Sequence, residues 1–178
     1  MPNNLILILI LAAIGIILAI VAGYYVIRFM RGSIKITMVR TGYNAGETIT
    51  GSFELHTKKP IEGNKLSVSL IGTQVTKTRQ GGKTRTHSHE VYRNEKVIEG
   101  ATHYPAEHRS THEFEISTPN SQTPDFANNP IFQGLAGAMG MLSDRQSYLE
   151  WRVEARLDAK GVDLAASKKV TVNVPHML

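Results

Sequence analysis

Alternating apolar and polar positions dominate the chain beyond Gly32, and this period of two predicts β-strands with one buried and one solvated face. The clearest example is the segment from Tyr148 to Asp158, where every second residue is apolar and charged residues fill the positions between. A helix would spread those charges around its axis, whereas a strand gathers them on one wet face. Similar segments contain Ile34–Met38, Ile49–Leu55, Leu66–Leu70, Phe114–Ile116 and 166–174, the last ending before Pro175.

Turn residues separate these segments and complete the prediction of fold class. Turns rich in Gly and Asn are predicted at 44–46, 62–64, 80–82 and 160–161. About seven strands without a long helical pattern after residue 32 predict an all-β domain, a two-sheet antiparallel sandwich.

The first part of the chain follows a different pattern. After a short tail, 1–4, the run from Leu5 to Ile27 contains only apolar residues, glycine and tyrosine. As a helix rising about 1.5 Å per residue, a run of this length spans a hydrocarbon core of about 30 Å. Nothing basic precedes Leu5 and no Ala-x-Ala site follows, which argues against a cleaved signal peptide. A transmembrane α-helix is therefore predicted over 5–27.

Charges beside this helix predict its orientation. Residues 2–4 are neutral, whereas Arg28 and Arg31 lie in a short basic linker, 28–32, and Lys35 follows. The positive-inside rule then places the N-terminus outside and the domain, 33–178, in the cytoplasm. The expectation is a single-pass protein of the cell membrane whose soluble domain stays close to the bilayer.

One insertion, 119–147, lacks the strand pattern. Asn129-Pro130 is typical of a helix start, but the glycines that follow each weaken a helix by about 1 kcal/mol relative to alanine. Three alternatives remain open: a flap over one edge of the sandwich, an apolar loop that contacts the bilayer or a partner, or disorder. The residues predicted to make such a contact are Ile131, Phe132, Leu135, Met139 and Leu142.

Several of these segments occur in an order that resembles the N-terminal domain of the arrestin family. They are Tyr43–Leu55, Lys65–Gly72, the polar hairpin 77–89, His112–Pro119, and Tyr148–Asp158 with its turn through Leu164. The resemblance covers Ser33–Val174 and extends to α-arrestins and bacterial sporulation-control proteins. It implies an immunoglobulin-like sandwich that works as an adaptor or scaffold. Full arrestins carry two sandwiches and no N-terminal membrane helix, so receptor-tail binding cannot be transferred to this chain.

Positive charge suggests one candidate binding surface. The net charge is +5, and Lys77, Arg79, Lys83 and Arg85 follow one another without an acidic residue between them. Because alternation along a strand places several of them on one side, they form a candidate patch for phosphate, acidic lipid or an acidic peptide. The alternative is that these charges keep a hairpin edge solvated and prevent edge pairing.

The sequence contains few signals for metal, nucleotide or nucleic-acid binding. His87 and His89 share one strand face at a spacing that can chelate a metal, but no carboxylate-rich motif completes a site, and solvent-exposed histidines are the alternative. Gly81-Gly82-Lys83-Thr84 is not a phosphate loop, because Lys77 stands where that motif needs glycine. Aromatic residues are not interleaved with Lys and Arg as in single-strand nucleic-acid binders. No cysteine is present, which excludes disulfides.

We therefore expect a non-enzymatic protein without cofactor, metal or specific nucleic-acid ligand. The leading hypothesis is a membrane-anchored scaffold or adaptor that binds protein partners near the membrane surface. The alternative is an accessory structural subunit of a larger membrane complex, held through its helix.

Overall fold

The computed structural model describes residues 2–80, 82–120 and 145–173, and describes side chains for 9–23, 25, 30–79, 82–120 and 148–173. One helix, α1, precedes nine strands among these residues. Helix α1 spans Pro2–Arg31. The strands are β1 (Gly32–Met38), β2 (Gly42–Asn44), β3 (Thr48–Thr57), β4 (Ile61–Gln80), β5 (Lys83–Glu99), β6 (Thr102–Tyr104), β7 (Arg109–Ser117), β8 (Arg145–Ala159) and β9 (Leu164–Asn173).

The strands form two sheets. The smaller sheet has the order β1-β3-β7, and the larger has the order β2-β9-β8-β4-β5, with β6 paired to the start of β4. Pairing in the described strands is antiparallel except for β2, which runs parallel to β9 with Tyr43 opposite Val172. The predicted β-sandwich is confirmed, although one of its pairings is parallel rather than antiparallel.

The core lies between the two sheets and follows the predicted alternation. On β8, Trp151 is 4% exposed, and Val153, Ala155 and Leu157 are fully buried. They face the same side as Leu66, Val68 and Leu70 on the neighbouring strand β4. Phe53, Leu55 and Phe114 of the smaller sheet join the same cluster. Full burial of such side chains stabilises a fold by about 1.5–3 kcal/mol each.

Strand β4 is longer than predicted, because residues 62–64 do not form a turn. They lie inside β4, where the register with β8 shifts between Gly63 and Lys65. A Cβ on Gly63 would lie 2.7 Å from Cε2 of Tyr104 and 2.9 Å from Cδ1 of Leu157. This glycine therefore permits close packing under Tyr104 rather than a change of chain direction.

The joint between helix and sandwich contains no separate linker. Helix α1 continues through the predicted linker to Arg31, and β1 begins at Gly32. The carbonyl of Arg31 accepts hydrogen bonds from the amides of Lys58 (2.8 Å) and Lys59 (3.4 Å), which satisfy a carbonyl that a helix end otherwise leaves unpaired. Gly32 has φ of 154°, and a Cβ there would lie 2.2 Å from the carbonyl oxygen of His56.

Two predictions concern segments that the structure covers only in part. Among the described residues, no helix is long and apolar enough to cross a lipid bilayer. The transmembrane helix over 5–27 stays a prediction. The contact residues of the insertion, Ile131, Phe132, Leu135, Met139 and Leu142, all lie outside the described residues.

Candidate interaction surfaces

The ends of β4 and β5 form a hairpin that extends past the core. Val75 is the last buried residue on β4, and on β5 every residue from Lys83 to Glu90 is exposed. The two strands stay in register from Thr76 opposite His87 to Gln80 opposite Lys83. We call residues 76–89 the hairpin arm.

The four predicted cations are divided between the two faces of the hairpin arm. Cross-strand partners project to the same face of a sheet. Lys77 lies opposite Thr86 and Arg79 opposite Thr84, whereas Arg85 lies opposite Thr78 and Lys83 opposite Gln80. Alternation therefore places Lys77 and Arg79 on the outer face and Lys83 and Arg85 on the face that continues the core side. The sequence predicted a single patch, whereas the structure shows two pairs of charges on opposite faces of the hairpin arm.

Described residues provide these four cations with no ion-pair partner. Among the described residues, no carboxylate lies within ion-pair distance of Lys77, Arg79, Lys83 or Arg85, whereas ion pairs form elsewhere in the sandwich. The Lys77 Nζ atom lies 5.5 Å from the ring centroid of Tyr148 on β8, within the range of a cation–π contact. The Tyr148 ring thus stabilises the Lys77 ammonium group without cancelling its charge.

His87 and His89, which the sequence suggested as a possible metal-binding pair, also lie on the hairpin arm. His87 pairs with Thr76 and His89 with Gln74, which puts both on the face that carries Lys83 and Arg85. Neighbouring positive charge disfavours a divalent cation at this pair. In the part of the chain that the structure describes, no group of three or more His, Cys, Asp or Glu residues could hold a metal ion.

A polar cluster that the sequence did not single out lies inside the sandwich near β5, β6 and β7. His112 Nε2 lies 2.9 Å from Ser110 Oγ and His112 Nδ1 lies 3.8 Å from Glu99 Oε1. The Tyr104 hydroxyl donates to Glu99 Oε2 at 2.6 Å, and burial together with this bond raises the pKa of Tyr104. Alternation of Ser110 and His112 with exposed residues was the sequence signal for this inward placement.

This cluster has the order serine, histidine, carboxylate, but its geometry is structural. The distance from His112 to Glu99 exceeds a hydrogen bond, and the imidazole stacks on buried Phe53 with centroids 5.2 Å apart. Its hydroxyl, imidazole and carboxyl groups partner one another where the two sheets meet. We therefore assign the cluster to the packing of the sandwich.

The outer face of the larger sheet is rich in compensated charge. Arg93 Nε donates to Glu90 at 2.7 Å, and Lys65 Nζ lies 2.9 Å from Glu95. Hydrogen bonds from these basic groups lower the pKa of both glutamates. Because these four charges have partners, this part of the face is a weaker candidate for binding a charged ligand than the hairpin arm.

Asp163 lies between β8 and β9, where its carboxylate stabilises the turn. Its carboxylate accepts a hydrogen bond from the Ala159 amide at 3.1 Å and forms an ion pair with Arg156. Burial opposes its charged form, but these two partners outweigh burial, and the pKa of Asp163 lies below its ordinary value.

A second cationic surface lies where α1 meets the sandwich. We define the basal surface as Arg31, Lys58, Lys59 and Lys160, contributed by the helix end and by the β3–β4 and β8–β9 turns. Both Nη atoms of Arg31 donate to the Lys160 carbonyl at 3.0 Å, so the three segments are joined. Arg31, predicted to flank the membrane, is the last residue of α1, and the side chain of Arg28 lies outside the described residues.

The basal surface and the hairpin arm lie at opposite ends of the larger sheet. Gly63 pairs with Ala159 near the basal surface, and Gln80 ends β4 at the tip of the arm. At about 3.3 Å per residue, the strand carries the arm about 55 Å away from the helix end.

Comparison with solved structures identifies the fold. No protein-family model matches the chain, and no curated protein matches it. Among solved structures, it is similar to Spo0M, a sporulation control protein from Bacillus subtilis, with a TM-score of 0.53 and 11% sequence identity. The match covers 80% of this chain and 49% of Spo0M, so this chain spans about half of that protein.

The chain therefore has an arrestin-like β-sandwich fold, which confirms the fold that the sequence resemblance implied. At this level of identity the likeness to Spo0M concerns the fold alone. Function has to be argued from the surfaces of this chain.

Proposed function

We propose that this protein is a membrane-anchored, non-catalytic adaptor whose arrestin-like sandwich binds acidic protein partners through the hairpin arm. The observation that carries the proposal is the position of Lys77, Arg79, Lys83 and Arg85, exposed beyond the core and without ion pairs among the described residues. Charged surface of one sign favours a partner of the opposite sign and speeds its association.

Protection of an exposed sheet edge does not account for all four cations. Lys83 and Arg85 lie on β5, an edge strand in the larger sheet, where charge discourages pairing with another chain. Lys77 lies on β4, between Thr86 of β5 and Gln146 of β8. A position with neighbours on both sides needs no edge protection, and this favours binding as the role of Lys77.

Membrane anchoring is supported by the surface of α1. Consecutive apolar side chains, such as Ile16, Ile17 and Leu18, are exposed by 60–63%. Because successive helix residues point about 100° apart, apolar surface surrounds this part of the helix. Water disfavours such a surface, and a lipid bilayer accommodates it.

The proposed topology places the sandwich in the cytoplasm, because Arg28, Arg31 and Lys35 follow the helix and no charged residue precedes it. The absence of cysteine makes a direct test simple. A Thr84→Cys variant in sealed inside-out vesicles should react with a membrane-impermeant maleimide without detergent. Labelling in right-side-out vesicles alone would reverse the topology.

Binding is tested by purifying the tagged full-length protein from native membranes in mild detergent and identifying co-eluting proteins at low and high salt. We expect an acidic partner that is lost at high salt. Lys77→Glu/Arg79→Glu and Lys83→Glu/Arg85→Glu variants should each reduce its recovery at low salt by about tenfold or more if their face contributes. The matched control, Lys96→Glu/Arg109→Glu, reverses two exposed charges outside the hairpin arm and the basal surface.

Unchanged recovery in both hairpin variants would refute the hairpin arm as the binding surface. Circular dichroism of each variant verifies that its strands are retained. A partner that survives high salt and both reversals would instead favour the accessory-subunit function, with contacts made by the apolar helix. Open space around Gly15 and Gly23, where an added Cβ meets nothing within 4 Å, would allow another helix to approach closely.

A further inference from the structure

We propose that the basal surface binds the acidic headgroups of the bilayer and thereby holds the sandwich upright, with the hairpin arm directed away from the membrane. This inference rests on the proposed membrane anchoring. It assigns to Lys59 and Lys160 a role distinct from partner binding.

The fold brings these lysines to the helix end from distant parts of the sequence. The Lys58 and Lys59 amides donate to the Arg31 carbonyl, and the Arg31 guanidinium donates to the Lys160 carbonyl. Gly161 has φ of 101°, and a Cβ on it would lie 2.8 Å from Arg31 Nη1. The β8–β9 turn is thus shaped around the arginine that ends the helix.

Three acidic residues near this surface have partners of their own. Glu62 lies 2.6 Å from His103, Glu107 lies 3.2 Å from His56, and Asp163 pairs with Arg156. Lys59 and Lys160 are exposed, and neither forms an ion pair with another described residue. The charge of their ammonium groups is therefore available to an external anion.

The position of the charges favours lipid as that anion. A helix with exposed apolar side chains ends at Arg31, so a bilayer that accepts the helix brings its headgroups to the basal surface. Each Lys or Arg near an acidic bilayer contributes about 1 kcal/mol, which corresponds to roughly fivefold in an equilibrium constant. The two exposed lysines together would favour the upright orientation by roughly 25-fold.

The hairpin arm supplies a competing orientation. Its four cations are also attracted to an acidic bilayer, but the tip lies about 55 Å along β4 from the helix end. If the basal lysines are neutralised, the arm should fall towards the acidic surface. Variants that neutralise the basal surface and variants that neutralise the hairpin arm therefore serve as controls for each other.

The test uses the full chain reconstituted into vesicles of phosphatidylcholine, with or without 30% phosphatidylglycerol. A single fluorophore is attached at Pro60→Cys, beside Lys59, or at Thr84→Cys, near the tip, and energy transfer to a headgroup-labelled lipid is measured. In acidic vesicles we expect strong transfer from position 60 and weak transfer from position 84. Lys59→Gln/Lys160→Gln should lower the first and raise the second, whereas Lys83→Gln/Arg85→Gln should change neither.

Transfer that depends on neither phosphatidylglycerol nor the basal lysines would overturn the inference. Vesicle flotation after an alkaline carbonate wash separates this failure from failure of the anchor. Protein lost from the vesicles would refute the membrane anchoring and this inference together. Protein retained without any effect of lipid charge would refute the basal surface alone.

Discussion

At the scale of single residues, the closest packing in the sandwich depends on glycines that face large side chains. Gly72 on β4 lies opposite Trp151 on β8, and a Cβ at Gly72 would lie 2.7 Å from Cζ3 and 2.9 Å from Cη2 of that indole. The only tryptophan of the chain is therefore accommodated by a neighbour without a side chain.

Gly72→Ala should destabilise the protein by about 1–3 kcal/mol, because the indole or the strand must move to admit one methyl group. Urea denaturation followed by Trp151 fluorescence measures the change in the free energy of unfolding. Gly100→Ala is the matched control, since an added Cβ there meets nothing within 4 Å, and its effect should stay within about 0.5 kcal/mol. Equal effects at the two positions would contradict this account of Trp151 packing.

The sequence identified Trp151 as a core residue but did not reveal the role of Gly72. Alternation within one strand shows which side chains point inward, because that information is local. The partner across the sheet depends on register, which pairs residues 79 positions apart in the chain. For the same reason, the four hairpin cations were recognised from the sequence, whereas their division between two faces required the pairing of β4 with β5.

At the scale of elements, strand β4 has two parts with different surroundings. Its central residues, including Leu66–Leu70, are buried between β5 and β8. Its last residues, from Thr76 onward, belong to the hairpin arm, where the described side chains are exposed or half-buried. The composition of residues 62–64 predicted a break at the start of β4, whereas the physical change occurs past Val75, where the core ends.

Backbone amides of the hairpin arm should therefore exchange with solvent on the order of 100-fold faster than those of Leu66–Leu70, because the arm can open without exposing the core. Hydrogen–deuterium exchange with peptide-level mass spectrometry of the full chain in detergent measures this difference. The internal control is β8 around Val153 and Ala155, which should exchange as slowly as Leu66–Leu70. Equal protection along all of β4 would mean that arm and core unfold together.

At the scale of the whole molecule, stability at neutral pH draws on carboxylates held charged on the larger sheet. The pKa values of Glu90, Glu95 and Asp163 all lie below their ordinary values because of hydrogen-bonding partners on the same strand or on a neighbouring strand. A lowered pKa in the folded state contributes stability above the unfolded pKa and loses it as pH falls through the folded pKa.

The free energy of unfolding should accordingly fall as pH drops below about 4.5, the ordinary region for these carboxyl groups. Asp163→Asn should lower stability at pH 7 by about 1 kcal/mol, because it removes the charge that faces Arg156. Its deficit should shrink towards pH 3, where the native carboxyl also becomes protonated. Urea titrations from pH 7 to pH 3 measure both curves, and a deficit that stays constant with pH would contradict the linkage.

Because α1 continues directly into β1, a small rotation at their joint would be amplified at the far end of the sandwich. With Arg31 bonded to both neighbouring turns, helix and sandwich should turn together, and a tilt of about 10° at the joint would displace a point 55 Å away by about 10 Å. Small changes in the helix, imposed by bilayer thickness or by a neighbouring helix, would then become large displacements of the cationic tip. In the proposed membrane-anchored adaptor, the tilt of the helix would then set the height at which the hairpin arm meets a partner.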